Sequence, residues 1–156
     1  PFFRSDEMGS AVHAASLERP VRLMITLEMI GYYDSAPGSQ DYPYPAMSWL
    51  YPDRGDFIAV VGRMQDINAV RQVKAALLSS RDLSVYSMNA PGFIPGIDFS
   101  DHLNYWQHDI PAVMITDTAF YRNKQYHLPG DAADRLNYQK MAQVVDGVIT
   151  LLYNSK

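Results

Sequence analysis

The chain contains no cysteine. That excludes disulfides, thiolate nucleophiles and thiolate metal sites together, so any metal would have to rest on imidazole and carboxylate groups. Basic residues are also scarce: 13 Lys and Arg against 17 Asp and Glu leave a net charge of −4, with no basic stripe to neutralise phosphates, so a nucleic-acid partner is not expected. No apolar run approaches the ~20 residues of a membrane span, and no Asn-X-Ser/Thr acceptor occurs. Charged residues make up only 19% and hydrophobic residues 47%, a balance that favours a packed core over a disordered chain. One domain over residues 1–156 is the simplest reading, large enough to bury roughly 70% of its unfolded surface. The opening PFFRSDEMGS has no initiator Met, so residues upstream of Pro1 are expected, and the compartment stays undefined.

What is present alternates between helical and strand patterns. Ser5 is placed to cap a helix through about Glu18, with Met8, Ala11, Val12 and Ala15 on one face. Arg22 to Ile30 is almost continuously apolar and reads as a strand covered on both faces. Tyr33 to Asp56 is a long excursion rich in Pro, Gly and Tyr, the kind of ordered loop that walls a pocket. Further strands are expected at Phe57–Gly62, Leu83–Met88 and Ala112–Thr116. Asp66 and Ser100 are placed to cap helices running from Ile67 and through about Gln107. Asn137 is placed to cap a last helix with Met141, Val144, Val145, Val148 and Leu152 as its apolar stripe. The pattern predicts an α/β fold: three layers, α/β/α, around a mixed, largely parallel sheet.

The richest stretch is Gly96 to Asp131, which carries the Asp101-His102 pair, a buried-strand run and the isolated His127. Glu28 sits near the carboxyl end of the first strand, in ITLEMIGYY. Ligands in open α/β sheets gather outside the carboxyl ends of strands, so Glu28 and His127 could converge there on zinc or a related divalent metal. Taken singly, each signal has a plainer explanation. Glu28 could turn into solvent, His127 could be an exposed loop histidine, and Asp101 could simply favour a helix start. The Met-Ile-Gly after Glu28 counts for the sharper reading, because a charge is rarely held among core residues unless paired or metal-bound. His13 and His108 read as surface residues, Arg54-Gly55-Asp56 as a turn, and the scattered methionines as core filler.

Taken together, LEMIGYY, FSDHLNYW, IPAVMITDTAFYRN and YHLPGDAADRLNYQKMAQVV resemble the zinc-dependent exopeptidases of the bacterial aminopeptidase type, a group that also includes glutamate carboxypeptidases and glutaminyl cyclases. The resemblance covers nearly the whole chain and implies the phosphorylase/hydrolase-like α/β fold, incomplete at its N-terminal side. By the same resemblance, Glu28 binds one of two zinc ions and His127 the other. Asp131 would cap the next helix or steady the loop, while Ser100, Asp101 and His102 would orient the site from behind or face substrate. Tyr121 and Arg122 would lie at the mouth of the pocket. Relatives carry further ligands upstream, a His, a bridging Asp and a Glu-Glu pair whose first Glu is the general base. That pair normally precedes a Pro-aromatic run such as Pro1-Phe2-Phe3.

The expectation is therefore the C-terminal half of a di-zinc exopeptidase with peptide substrates, an aminopeptidase first of all. It would lack its general base and be inactive alone, partnered by the missing N-terminal half or by another copy of the chain. The alternatives are a carboxypeptidase or cyclase on the same fold, or a non-catalytic binding module derived from it.

Overall fold

A computed structural model describes residues 2–154; Pro1, the start of the Pro-aromatic run, lies outside the described residues. Four strands form one sheet in the order β1-β4-β2-β3, comprising β1 (Met24–Leu27), β2 (Ile58–Gly62), β3 (Val85–Asn89) and β4 (Ala112–Thr116). β1 runs parallel to β4 and β2 parallel to β3, and the central β2–β4 pairing is antiparallel. The sheet is thus mixed and mostly parallel, as the alternating pattern predicts.

Strand alternation sends side chains to two faces. Ile58, Val60, Val113 and Ile115 meet α2 (Ile67–Leu77) and α4 (Tyr138–Asn154) through Val70, Val73, Leu77, Val144 and Leu151. On the other face, Ala112 packs with Ala14 of α1 (Gly9–Ala15) and Tyr105 of α3 (His102–Trp106). Those two helices cover only the β1–β4 side of that face. Over β2 and β3 it is covered by loops, and Phe57, Ala59 and Val61 look into them together with Ile97 and Met114. The site forms in this gap in the helical layer.

Some local expectations change. β1 stops at Leu27 because Met29 adopts a left-handed backbone (φ 55). It stands at the end of the strand order, and Leu27 is 45% exposed, so it is not covered on both faces. α1 starts at Gly9 rather than after Ser5, whose hydroxyl donates to the Phe2 carbonyl. The face α1 buries carries Ala14, while Val12 is 56% exposed. His13 lies on the surface, its Nδ1 2.6 Å from the Tyr105 hydroxyl. Asp66 makes no cap bond; its carboxylate accepts from Arg63 Nε at 2.8 Å instead. Asn137 does cap α4, accepting from the Lys140 N–H at 3.0 Å.

Candidate metal and substrate site

β1 and β4 are parallel neighbours, so their carboxyl ends emerge side by side. Glu28 follows β1 directly, its N–H donating to the Ile115 carbonyl at 3.0 Å. The left-handed turn at Met29 then lifts the chain away from the sheet and leaves the Glu28 side chain at the strand end. Ser100 donates its hydroxyl to Glu28 Oε2 at 2.7 Å, with Thr26 Oγ1 3.5 Å behind it. A hydroxyl donor at this distance restricts the carboxylate to one orientation and leaves its other oxygen free to ligate.

His127 lies in the loop after β4, also left-handed (φ 60), with its ring stacked on Tyr126 at 3.9 Å between centroids. Asn123 braces that loop: its amide donates to Asp131 Oδ1 at 2.8 Å, and its carbonyl accepts from the Gln125 N–H and from Arg135. Glu28 and His127 line one cavity of about 500 Å³. Ala59, Val61, Met114 and Thr116 from the sheet floor it, and Tyr42, Met47 and Tyr51 of the 33–56 excursion wall it. Among the described residues, no three His, Asp or Glu side chains come together as a metal-binding group. Zinc sites use at least three protein ligands. The residues present therefore do not by themselves fit a zinc ion.

The sequence signature of peptidase family M28 matches residues 7–152. The chain belongs to that family. It is 95% identical over its full length to the protein YfbL of Escherichia coli (strain K12) and spans 48% of that relative. Among solved structures it is similar to the LapA aminopeptidase of Legionella pneumophila, at 20% identity and a TM-score of 0.65 over 92% of this chain and 34% of that one. It is also similar to the zinc aminopeptidase BSAP of Bacillus subtilis, at 17% identity and a TM-score of 0.63 over 94% of this chain and 32% of that one. At these identities the likeness establishes a shared fold. The family expected from LEMIGYY, FSDHLNYW and YHLPGD is the one found.

Within this M28 chain, the residues expected around Glu28 and His127 are placed unevenly. Tyr121 does line the cavity, its hydroxyl donating to the Pro95 carbonyl at 3.2 Å. Arg122 is not at the mouth: it is 3% exposed and away from the cavity, donating to Gln40 Oε1 and to the carbonyls of Tyr32 and Phe57. Gly55 is required beneath it, since a Cβ there would stand 2.5 Å from Arg122 Nε. Asp101 is exposed at the start of α3 and does not reach the cavity. His102 is fully buried, edge-on to Trp106 at 4.5 Å, and does not face substrate. Burial pushes its pKa down, so the ring is neutral, and its Nε2–H donates to the Ile97 carbonyl at 2.7 Å. It thereby holds the Pro91–Ile97 loop that forms one cavity wall. Of the Ser-Asp-His run, only Ser100 touches Glu28. It does so instead of capping α3, which has no side-chain cap. Asp131 steadies the His127 loop and caps nothing, since the turn at Ala133–Arg135 also lacks a side-chain cap.

Asp117, whose part in the site the local sequence does not reveal, follows β4 as Glu28 follows β1. The same signal marks both, an acidic residue closing an apolar strand.

Proposed function

We propose that this chain is the C-terminal half of a metal-dependent exopeptidase that removes residues from the N-termini of peptides. Glu28 would ligate one zinc ion and His127 a second. The observation that carries the proposal is that a strand-end carboxylate, oriented by Ser100, and a loop imidazole, held by Tyr126, open onto one cavity. M28 membership and a fold shared with aminopeptidases support the same reading. The remaining ligands and the general base are assigned to residues outside the chain, because no group of three ligands forms among those described. In this half, Ser100 orients Glu28, the Asn123–Asp131 pair positions His127, and the cavity takes a substrate side chain. Among the described residues no Lys or Arg lines the cavity, and Lys124 beside it is paired with Asp41, so the cavity itself offers no unpaired cation to a substrate carboxylate. That favours an aminopeptidase over a glutamate carboxypeptidase.

The test is hydrolysis of leucine p-nitroanilide by the full-length protein, with and without a chelator, beside residues 1–156 alone. Turnover should be confined to the full-length protein and lost on chelation. Glu28→Ala and His127→Ala should each lower kcat/KM by at least about 100-fold, and Ser100→Ala by about 10-fold, the range found for groups that orient metal ligands. Turnover indifferent to the chelator and to both ligand substitutions would rule the proposal out.

A further inference from the structure

Arg122 is buried, and none of the ion pairs among the described residues includes it. Its Nη2 has no hydrogen-bond partner among those residues either. Burying a guanidinium without a carboxylate beside it is costly, and an apolar side chain of similar volume often serves stability as well. What an apolar side chain could not do is bind polar groups from several distant segments at once. We propose that Arg122 is a positioning residue: from behind the cavity it fixes the wall formed by the 33–56 excursion against the loop that carries His127. The proposal rests on the peptidase reading above.

On the excursion side, Nη1 donates to the Tyr32 carbonyl at 3.1 Å and to the Phe57 carbonyl at 2.9 Å, the two residues that bracket the excursion. Nε donates to Gln40 Oε1 at 3.0 Å, inside it. The guanidinium also lies over the rings of Phe57 and Tyr33, 4.6 and 5.7 Å from their centroids. Next to it the neck of the excursion is closed by the Asp34 N–H on the Gly55 carbonyl at 2.9 Å. Beyond the neck, the turn Pro45–Trp49 closes backbone bonds within itself, from the Met47 N–H to the Tyr44 carbonyl and from the Leu50 N–H to the Met47 carbonyl. The placing of Met47 therefore depends on the neck. Tyr51 has one further tie, its hydroxyl donating to the Ser87 carbonyl at 3.1 Å.

On the other side, the residues flanking Arg122 in sequence complete the joint. The Tyr121 carbonyl accepts from the Asp41 N–H at 2.9 Å, and the Asn123 amide holds Asp131 in the His127 loop. One short segment after β4 thus grips the wall with Tyr121 and Arg122 and the ligand loop with Asn123. Through Gln40 the grip reaches the cavity lining, since Gln40 Nε2 donates to Thr118 Oγ1 at 3.0 Å. Thr118 and Ala119 both line the cavity and both have left-handed backbone, with φ 74 and 47. Residues in that conformation persist only where their surroundings hold them. Gln40, kept in place by Arg122, is one of the groups that hold this pair.

The experiment uses two variants of the full-length protein that disturb this joint from opposite sides. Arg122→Lys keeps the charge but replaces the planar fork with a compact ammonium that cannot span the same acceptors. Gly55→Ala keeps Arg122 and sets a Cβ 2.5 Å from its Nε. On leucine p-nitroanilide, KM should rise at least about tenfold while kcat stays within about threefold, the pattern of a lost substrate contact. Hydrogen exchange read by mass spectrometry should quicken in peptides from 33–56 and leave β2 and β4 protected, as local rather than global loosening does. Asn123→Ala is the contrast: kcat and bound zinc should fall, with exchange over 33–56 unchanged. Unchanged KM and unchanged exchange over 33–56 in either folded variant overturn the proposal. Faster exchange throughout, or failure of both variants to fold, overturns it as well, because Arg122 would then serve general stability. Absence of turnover by the wild-type enzyme overturns the peptidase reading, while the exchange comparison, which needs no substrate, still decides whether Arg122 fixes the wall.

Discussion

Asp117 ties the two strand ends of the site together. Its carboxylate accepts N–H bonds from Gly31 at 3.1 Å and Tyr32 at 2.8 Å, on the turn after β1, and from Ala119 at 3.0 Å after β4. Burial pushes its pKa from 3.8 up to about 6, against the lowering pull of those N–H groups and of Arg122. The folded state therefore holds this proton more tightly than the unfolded chain, and the associated stability is present below about pH 4 and lost as pH rises through about 6. Asp117→Asn should destabilise at every pH, because its amide N–H₂ must face at least one backbone donor. The advantage of wild type over the variant should shrink by roughly 2–4 kcal/mol between pH 4 and 7, at about 1.36 kcal/mol per pKa unit. Urea titrations across that range check it, and a constant gap would show that the carboxyl does not titrate there. Nothing local in ITDTAF shows this role, since the turn that Asp117 binds is distant in sequence and comes near only through the β1–β4 pairing.

Among the elements, strand interiors and the last cap were legible, whereas most other polar helix starts were not. Ala112–Thr116 is a strand as expected and Asn137 a cap. Ser5, Asp66 and Ser100 have the short polar side chains that caps require, yet each finds a stronger partner elsewhere: a loop carbonyl, the Arg63 guanidinium and the Glu28 carboxylate. Local chemistry sets what a side chain can bond, and tertiary neighbours set what it does bond. The apolar stripe of α4 is also rotated from the expected one. Val144, Gly147 and Leu151 are buried, while Val145 and Leu152 are 43% and 60% exposed. The helix turns its glycine toward α2, where a Cβ on Gly147 would stand 2.8 Å from Leu77 Cα. Gly147→Ala improves helix propensity by about 1 kcal/mol but forces two backbones apart, at a cost of typically about 1–3 kcal/mol. The clash should win, giving a net loss in thermal or urea unfolding. A stabilised variant would mean that α2 and α4 are free to separate.

At the scale of the whole molecule, the chain presents an edge strand and exposed apolar side chains on α4. β1 stands at the end of the strand order with Leu27 exposed, and Val145, Ile149 and Leu152 are exposed on α4. Edge strands and apolar patches of this kind promote pairing with another chain. Residues 1–156 alone should therefore sediment as oligomers in analytical ultracentrifugation and bind zinc weakly by calorimetry. A monodisperse monomer that binds zinc tightly would show that the site is more complete than its residues suggest. Among the described residues, no helix is long and apolar enough to cross a membrane.

The sequence by itself determined the α/β class, the strand cores, the family, and the two residues on which the proposed centre rests. These follow from alternation, apolar runs and short motifs, which are properties of neighbouring residues. Tertiary structure alone decided that Glu28 and His127 open onto one cavity, that Ser100 rather than Asp101 or His102 touches Glu28, and that Arg122 is buried. It also decided that loops rather than a helix cover β2 and β3 on that face, which is why a cavity exists. Each of these depends on which distant segments pair, and in particular on β4 lying between β1 and β2. That choice is made by the packing of the whole chain, and no local pattern encodes it.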